Sequence, residues 1–171
     1  MNLEIERKFL VKSDRYKDKA SEHWIIRQGF LMMDKGRCLR IREDNTGKGI
    51  DYTLCLKISK SDLTREEYEY KIPQQDGLRL LKSCSNIIEK ERYRVLTGKS
   101  FFWDIDEFKG DNEGLVVAEI ELPSEEFDDY ESPEWLGKEV TNDKKYLNTS
   151  LSLHPFKKWG DTSGLVELSK T

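Results

Sequence analysis

Residues 3–11 read LEIERKFLV. Glu4, Glu6 and Lys8 fall on alternate positions, with Ile5, Arg7 and Phe9 between them. In an extended strand, alternate residues share a face. One face of this stretch therefore carries two carboxylates and an ammonium, and the other is apolar apart from Arg7. Such a face is either solvated or lines an interior, and the segments that follow discriminate between the two.

The same alternation recurs along the chain. CLRIRE (38–43) sets Arg40 and Arg42 against Leu39 and Ile41, and YTLCLKIS (52–59) sets Thr53, Cys55 and Lys57 against Leu54, Leu56 and Ile58. REEYEYKI (65–72) aligns Arg65, Glu67, Glu69 and Lys71 opposite Tyr68, Tyr70 and Ile72. KERYRV (90–95) aligns Lys90, Arg92 and Arg94, FWDIDEF (102–108) aligns Asp104 and Asp106, and GLVVAEIEL (114–122) ends with Glu119 and Glu121 on one face. With IRQGFLM (26–32), that predicts about eight strands of period two. The links DKG (34–36), NTGKG (45–49), TGK (97–99) and KGDNEG (109–114) carry the glycine and Asx chemistry of hairpin turns. A helix is predicted over 73–84, with Pro73 in a first turn that tolerates it. Within 124–155, SEEFDDY, PEWLG and NDKKYLNTSL read as short helical pieces interrupted by Pro133 and Gly137. Residues 1–159 read as a single domain and 160–171 as a loose tail.

These elements predict an all-β-dominated α+β protein: an eight-stranded antiparallel barrel with peripheral and C-terminal helices, closed so that no edge is left exposed. If the charged faces point inward, the lumen holds eight acids (Glu4, Glu6, Glu67, Glu69, Asp104, Asp106, Glu119, Glu121) and seven bases (Lys8, Arg40, Arg42, Lys57, Arg65, Lys90, Arg92). Burying charge is prohibitive unless it is paired or binds ions. The charges also come in like-signed pairs: E-x-E at 4/6, 67/69 and 119/121, D-x-D at 104/106, R-x-R at 40/42 and K-x-R at 90/92. Like charges side by side on a strand are unfavourable without a counter-ion between them. Paired carboxylates suit Mg²⁺ or Mn²⁺, and paired guanidinium groups suit phosphate oxygens. A single E-x-E on a strand is more often a solvated face; six such pairs segregated by sign point to metal-assisted phosphoryl chemistry in a polar tunnel.

Bulk properties fit this reading. The 171 residues carry a net charge of −4 at 36% charged residues, dense but nearly balanced, so no nucleic-acid patch or membrane-surface helix is indicated. No apolar run reaches the roughly 20 residues of a membrane span, and charge at residue 4 excludes an apolar signal segment. Cys38, Cys55 and Cys84 lack CxxC spacing, which argues against a disulfide framework or a zinc site and for a reducing, cytoplasmic location.

EIERKFLV resembles the E-x-E-x-K signature of the CYTH superfamily, the triphosphate tunnel metalloenzymes. IRQGFL, LRIRE, TLCLK, REEYEYKIP, KERY, WDIDEF, GLVVAEIEL and WLGKEVTNDKKYLNTSL follow the short bacterial members in the same order, over about residues 2–151. The resemblance implies a tunnel binding a small-molecule triphosphate, and hydrolysis of inorganic triphosphate. It implies a divalent metal (Mg²⁺ or Mn²⁺) on Glu4, Glu6, Glu69, Asp106, Glu119 and Glu121, with Glu67 and Asp104 as neighbours. It places the phosphates on Lys8, Arg40, Arg42, Lys57, Lys90 and Arg92, supported by Arg65. Glu4, Glu6 and Lys90 are the residues expected to act in catalysis, and Arg94 is expected beyond the clamp, near the tunnel end. Thiamine or nucleoside triphosphate hydrolysis, adenylate cyclisation, and a non-enzymatic polyphosphate-binding module are the rival readings. Where short members carry Tyr in Q-G-Y-L, this chain has Phe30, and Lys144, Lys145, Lys157 and Lys158 are the candidates for a C-terminal lysine at the tunnel mouth. TGKS (97–100) lacks the first glycine of a phosphate-binding loop and reads as a hairpin. His23 and His154 read as structural or surface residues, and Trp103 and Trp135 as packing.

Overall fold

The computed structural model describes residues 2–98 and 100–160. Residues 161–171, most of the expected tail, lie outside the described residues. The eight expected strands all form: β1 (Leu3–Val11), β2 (Glu22–Asp34), β3 (Arg37–Asn45), β4 (Ile50–Ser59), β5 (Thr64–Ile72), β6 (Ile88–Leu96), β7 (Phe102–Phe108) and β8 (Val116–Glu121). They follow one another as β1-β5-β4-β3-β2-β6-β7-β8 and close back on β1, with every neighbouring pair antiparallel. Gly36 and Gly47 sit in the β2–β3 and β3–β4 turns at φ of 79° and 81°, a left-handed backbone that glycine adopts without penalty.

β2 runs well past the predicted 26–32 because its two halves serve different neighbours, β6 over residues 22–28 and β3 over 25–34. Its register on β3 shifts between Phe30 and Met32. A bulge reverses the inward-outward alternation, so both Phe30 and Met33 line the cavity described below.

The C-terminal third departs from the helical expectation in two places. Starting at the last two residues of PEWLG, Leu136–Glu139 form a ninth strand, β9, on the outside of the barrel. β5 pairs with β1 only over residues 3–5, so the same edge of β1 further along would be left with unpaired backbone groups. β9 fills that edge, pairing with Phe9 and Val11. Gly137 permits the approach, since a Cβ there would stand 2.9 Å from the Leu10 carbonyl oxygen. Residues 124–130 form turns rather than a helix, and Phe127 and Tyr130 pack against the buried Phe9 and Trp103 cluster. Helices do form at Tyr16–Lys19 (α1), at Gln74–Lys82 (α2), within the predicted 73–84, and at Asn148–Leu153 (α3).

The apolar packing lies mostly outside the barrel wall. Phe9, Val95, Trp103, Ile105, Ala118 and Ile120 face out and are covered by α1 and by the stretch around Trp135, with Trp103 and Trp135 in edge contact at 5.7 Å. α2 covers Ile41 and Tyr52, and Gly77 is required there because a Cβ would fall 2.2 Å from the Tyr52 ring. Leu10, Ile88, Phe108 and Val117 face inward at one end, where Tyr146, Leu151 and Phe156 plug the barrel. The remainder of the lumen holds most of the chain's inward-facing charges. No helix among the described residues is long and apolar enough to cross a membrane.

Candidate active site

The lumen contains a cavity of about 450 Å³. All seven expected bases line it: Lys8 from β1, Arg40 and Arg42 from β3, Lys57 from β4, Arg65 from β5, and Lys90 and Arg92 from β6. Glu6 and Glu119 line it too. Each arrives by the period-two alternation that a strand imposes on a charged face.

Most of the acids are already engaged. Asp106 is fully buried; Arg92 donates to its Oδ1 from Nε at 2.7 Å and to its Oδ2 from Nη2 at 2.8 Å, and Lys90 Nζ lies 2.8 Å from Oδ2. Burial opposes the charge, yet Arg92 and Lys90 hold the Asp106 carboxyl far below its usual range. Asp104 takes Arg92 at 3.3 Å and Arg94 at 2.8 Å. Lys57 bridges Glu4 at 3.1 Å and Glu67 at 3.2 Å, and Arg40 reaches Glu69 at 3.2 Å. Glu119 lies 3.6 Å from Lys8 and 3.9 Å from Arg92; against the effect of burial, Lys8 above all holds it down to about 2. Of the six expected metal ligands, Glu4, Glu69, Asp106 and Glu119 are thus held by bases, while Glu6 and Glu121, which have no ion pair among the described residues, stand on β1 and β8 beside Glu4 and Glu119.

Glu6, Glu121, Arg42 and Arg65 have no ion pair among the described residues, and Glu6 and Arg42 show the imbalance most strongly. The Glu6 carboxylate has no ion pair or hydrogen bond among the described residues, and it stands directly opposite Glu121 across the β1–β8 ladder. Burial, then the charges of Glu119 and Glu4, push its carboxyl well above the ordinary range. Glu121, more exposed, is raised by partial burial and by Glu4. Arg42 is the mirror case. It has no acidic partner among the described residues, and burial followed by the neighbouring Arg40 and Arg92 lowers it to about 10. Arg40 also keeps a buried Nε without a hydrogen-bond partner. Like charges gathered without an opposite charge between them are unfavourable. The cavity thus holds an uncompensated carboxylate at Glu6 and an uncompensated guanidinium at Arg42.

The CYTH domain model matches residues 2–153. This chain belongs to the CYTH family. It is 43% identical over 159 residues to an inorganic triphosphatase of Acetivibrio thermocellus, covering 92% of this chain and 97% of that one. It is 34% identical over 161 residues to an inorganic triphosphatase of Nitrosomonas europaea, covering 88% and 97%. A crystal structure of an inorganic triphosphatase superposes with a TM-score of 0.61 at 31% identity, covering 87% of this chain and 97% of that one.

Within this CYTH barrel, the four candidate lysines separate. Lys144 lines the cavity. Lys145 turns away onto the Trp159 ring at 4.8 Å, and Lys157 pairs with Asp111. Lys158 is exposed and does not line the cavity. Phe30 lies in the wall with Met33, Leu147 and Leu153, an apolar rim beside the bases. Cys38 lines the cavity, and Cys55 lies with Glu67 and Glu69 within 4.8 Å, but Lys57 and Arg40 already neutralise those carboxylates. The cysteines are free. His23 stacks on Tyr93 at 4.3 Å and pairs with Glu91 outside the cavity. Gln28 and Asn148 also line it, and neither is evident from a charge pattern.

Proposed function

We propose that this CYTH protein hydrolyses inorganic triphosphate with Mg²⁺ or Mn²⁺. The observation that carries the reading is the coexistence, in one cavity, of Glu6 among acids and Arg42 among bases, neither with an ion pair among the described residues. A metal-bound polyphosphate would compensate both, whereas a pure anion binder has no use for Glu6. The metal is assigned to Glu6 with Glu4, Glu119 and Glu121, a set of oxygen donors that suits a hard divalent cation. When bound, such an ion acts as a Lewis acid on phosphoryl oxygen and orients the attacking water.

The protein's own groups do the rest by positioning and charge neutralisation. Arg40, Arg42, Lys57, Arg65 and Arg92 grip phosphate oxygens, with Lys8 on the metal side. Asp106 fixes Arg92 and Lys90 in orientation. Burial, only partly offset by Asp106, lowers Lys90 to about 8, which brings its Nζ proton closer to transfer than that of an ordinary lysine. A soluble cytoplasmic setting fits the free thiols. The apolar rim of Phe30, Met33, Leu147 and Leu153 favours one second reading, an organic triphosphate whose non-phosphate part rests there.

A panel of tripolyphosphate, pyrophosphate, ATP, GTP and thiamine triphosphate, assayed for phosphate release, separates these. Tripolyphosphate is expected to turn over fastest. Cyclic nucleotide formed from ATP, or tight binding without metal-dependent turnover, would replace the reading. Excess EDTA is expected to abolish activity and Mg²⁺ or Mn²⁺ to restore it; full activity in chelator would sink the metal assignment.

Arg40 and Arg94 give a paired test of the clamp. Arg94 does not line the cavity: two hydrogen bonds tie it to Asp104, and it lies 3.8 Å over the Phe102 ring and 5.2 Å from Trp24. Hydrogen bonds to charged groups contribute roughly 1.5–3 kcal/mol, so Arg40→Ala is expected to weaken tripolyphosphate binding by about 10- to 100-fold. Arg94→Ala is expected to lower the melting temperature and leave the Kd nearly unchanged. Equal losses of affinity, read by calorimetric titration, would mean the clamp is misplaced.

A further inference from the structure

Two amides connect the phosphate clamp to the C-terminal helix. Gln28 on β2 is 1% exposed. Arg42 Nε donates to Gln28 Oε1 at 3.1 Å, Gln28 Nε2 donates to Asn148 Oδ1 at 2.7 Å, and Lys90 Nζ donates to the same Asn148 oxygen at 2.9 Å. Only one orientation of the amides satisfies this chain. Arginine and lysine are donors only, so a carbonyl oxygen must face each, and the Gln28 amino group must then face the Asn148 oxygen. Arg42 and Lys90, on β3 and β6, are thereby joined across β2 by neutral groups, and the far end of the link is the first residue of α3.

The neutrality matters. Arg42 is pressed by the charges of Arg40 and Arg92, and Lys90 by those of Arg92 and Arg42. Asp106 holds Lys90 at 2.8 Å, but no acid holds Arg42 among the described residues; left alone, Arg42 would swing away from Arg40 and Arg92, and a clamp displaced by an ångström loses much of its effect. Carboxylates at positions 28 and 148 would hold Arg42 and Lys90 but cancel the charge that grips an anion. We propose that Gln28 and Asn148 are positioning residues for the triphosphate reaction: they keep Arg42 in place without neutralising it, give Lys90 a neutral second anchor beside its ion pair with Asp106, and make the clamp depend on the seating of α3. The inference rests on reading the cavity as a triphosphate site.

Asn148, at a helix start, tolerates substitution better than the fully enclosed Gln28, so the test uses Asn148→Leu and Asn148→Asp. The first readout needs no substrate: the Arg42 Nε–Hε NMR signal, identified by its loss in Arg42→Lys. Asn148→Leu is expected to shift or broaden that signal although residue 148 does not touch Arg42, and to raise the KM for tripolyphosphate by about tenfold or more. Asn148→Asp keeps both acceptor bonds, so the signal is expected to persist; its added charge is expected to raise KM comparably. A merely structural role predicts the reverse: a lower melting temperature, an unchanged KM, and full rescue by Asp. An unchanged Arg42 signal in Asn148→Leu, or a wild-type KM in Asn148→Asp, overturns the proposal. If the wild-type protein fails to turn over tripolyphosphate, the functional reading fails, and the Arg42 signal alone decides whether these amides position the guanidinium.

Discussion

Glu6→Gln is expected to cut tripolyphosphate turnover by about 100-fold or more, since several kcal/mol of charge stabilisation pass through a metal ligand set. The apo protein should nonetheless be as stable as wild type, or more so. Glu6 faces Glu121 across the ladder, lies near Glu4 and Glu119, and has no ion pair among the described residues; Lys8 and Lys57 offset the repulsion only in part. Glutamine keeps the shape and removes the repulsion. A carboxyl raised in the folded state binds its proton more tightly there than in the unfolded chain. The wild-type apo protein therefore loses stability as pH rises above the ordinary glutamate range of about 4.3, and the variant should lack that part of the loss. The melting-temperature gain on adding Mg²⁺, which follows the ratio of free ion to Kd, should shrink in the variant. A solvated strand face predicts something else: normal turnover and a stability change within roughly ±0.5 kcal/mol. Phosphate release and melting with and without Mg²⁺ decide, and wild-type turnover would mean that LEIERKFLV lines nothing.

The period-two charge pattern made the barrel legible because an inward charged face leaves a mark that ordinary half-buried strands lack. All seven bases could be placed in one cavity from that mark alone. Which acids are free could not. Glu4 and Glu6 look alike in E-x-E, and only the cross-strand register separates them: Lys57 reaches Glu4, while Glu6 meets Glu121. Asp106 likewise reads as a ligand until β6 places Arg92 opposite it. β9 was hidden for a different reason. Its cause is the early departure of β5 from β1, a property of barrel stagger that local composition does not record. Gln28 and Asn148 carry no charge, so no pairing rule singles them out; their role exists only once β2, β3, β6 and α3 are side by side.

Arg42→Gln is the counterpart at the anion end. If Arg42 grips phosphate with two charged hydrogen bonds, their loss at roughly 1.5–3 kcal/mol each should raise the Kd for tripolyphosphate by about 100-fold or more. Stability should move the other way. Burial, with Arg40 and Arg92 adding repulsion, lowers Arg42 to about 10, so the fold holds this cation against its preference. Glutamine also carries an N–H donor, which keeps the Gln28 oxygen from being stranded as it would be opposite an aliphatic side chain. The apo melting temperature is therefore expected to stay level or rise. Calorimetric titration of tripolyphosphate into metal-free protein isolates the base side of the cavity from the metal side. An unchanged Kd would remove Arg42 from the clamp, and a loss of several degrees in melting temperature with an unchanged Kd would make it a structural residue.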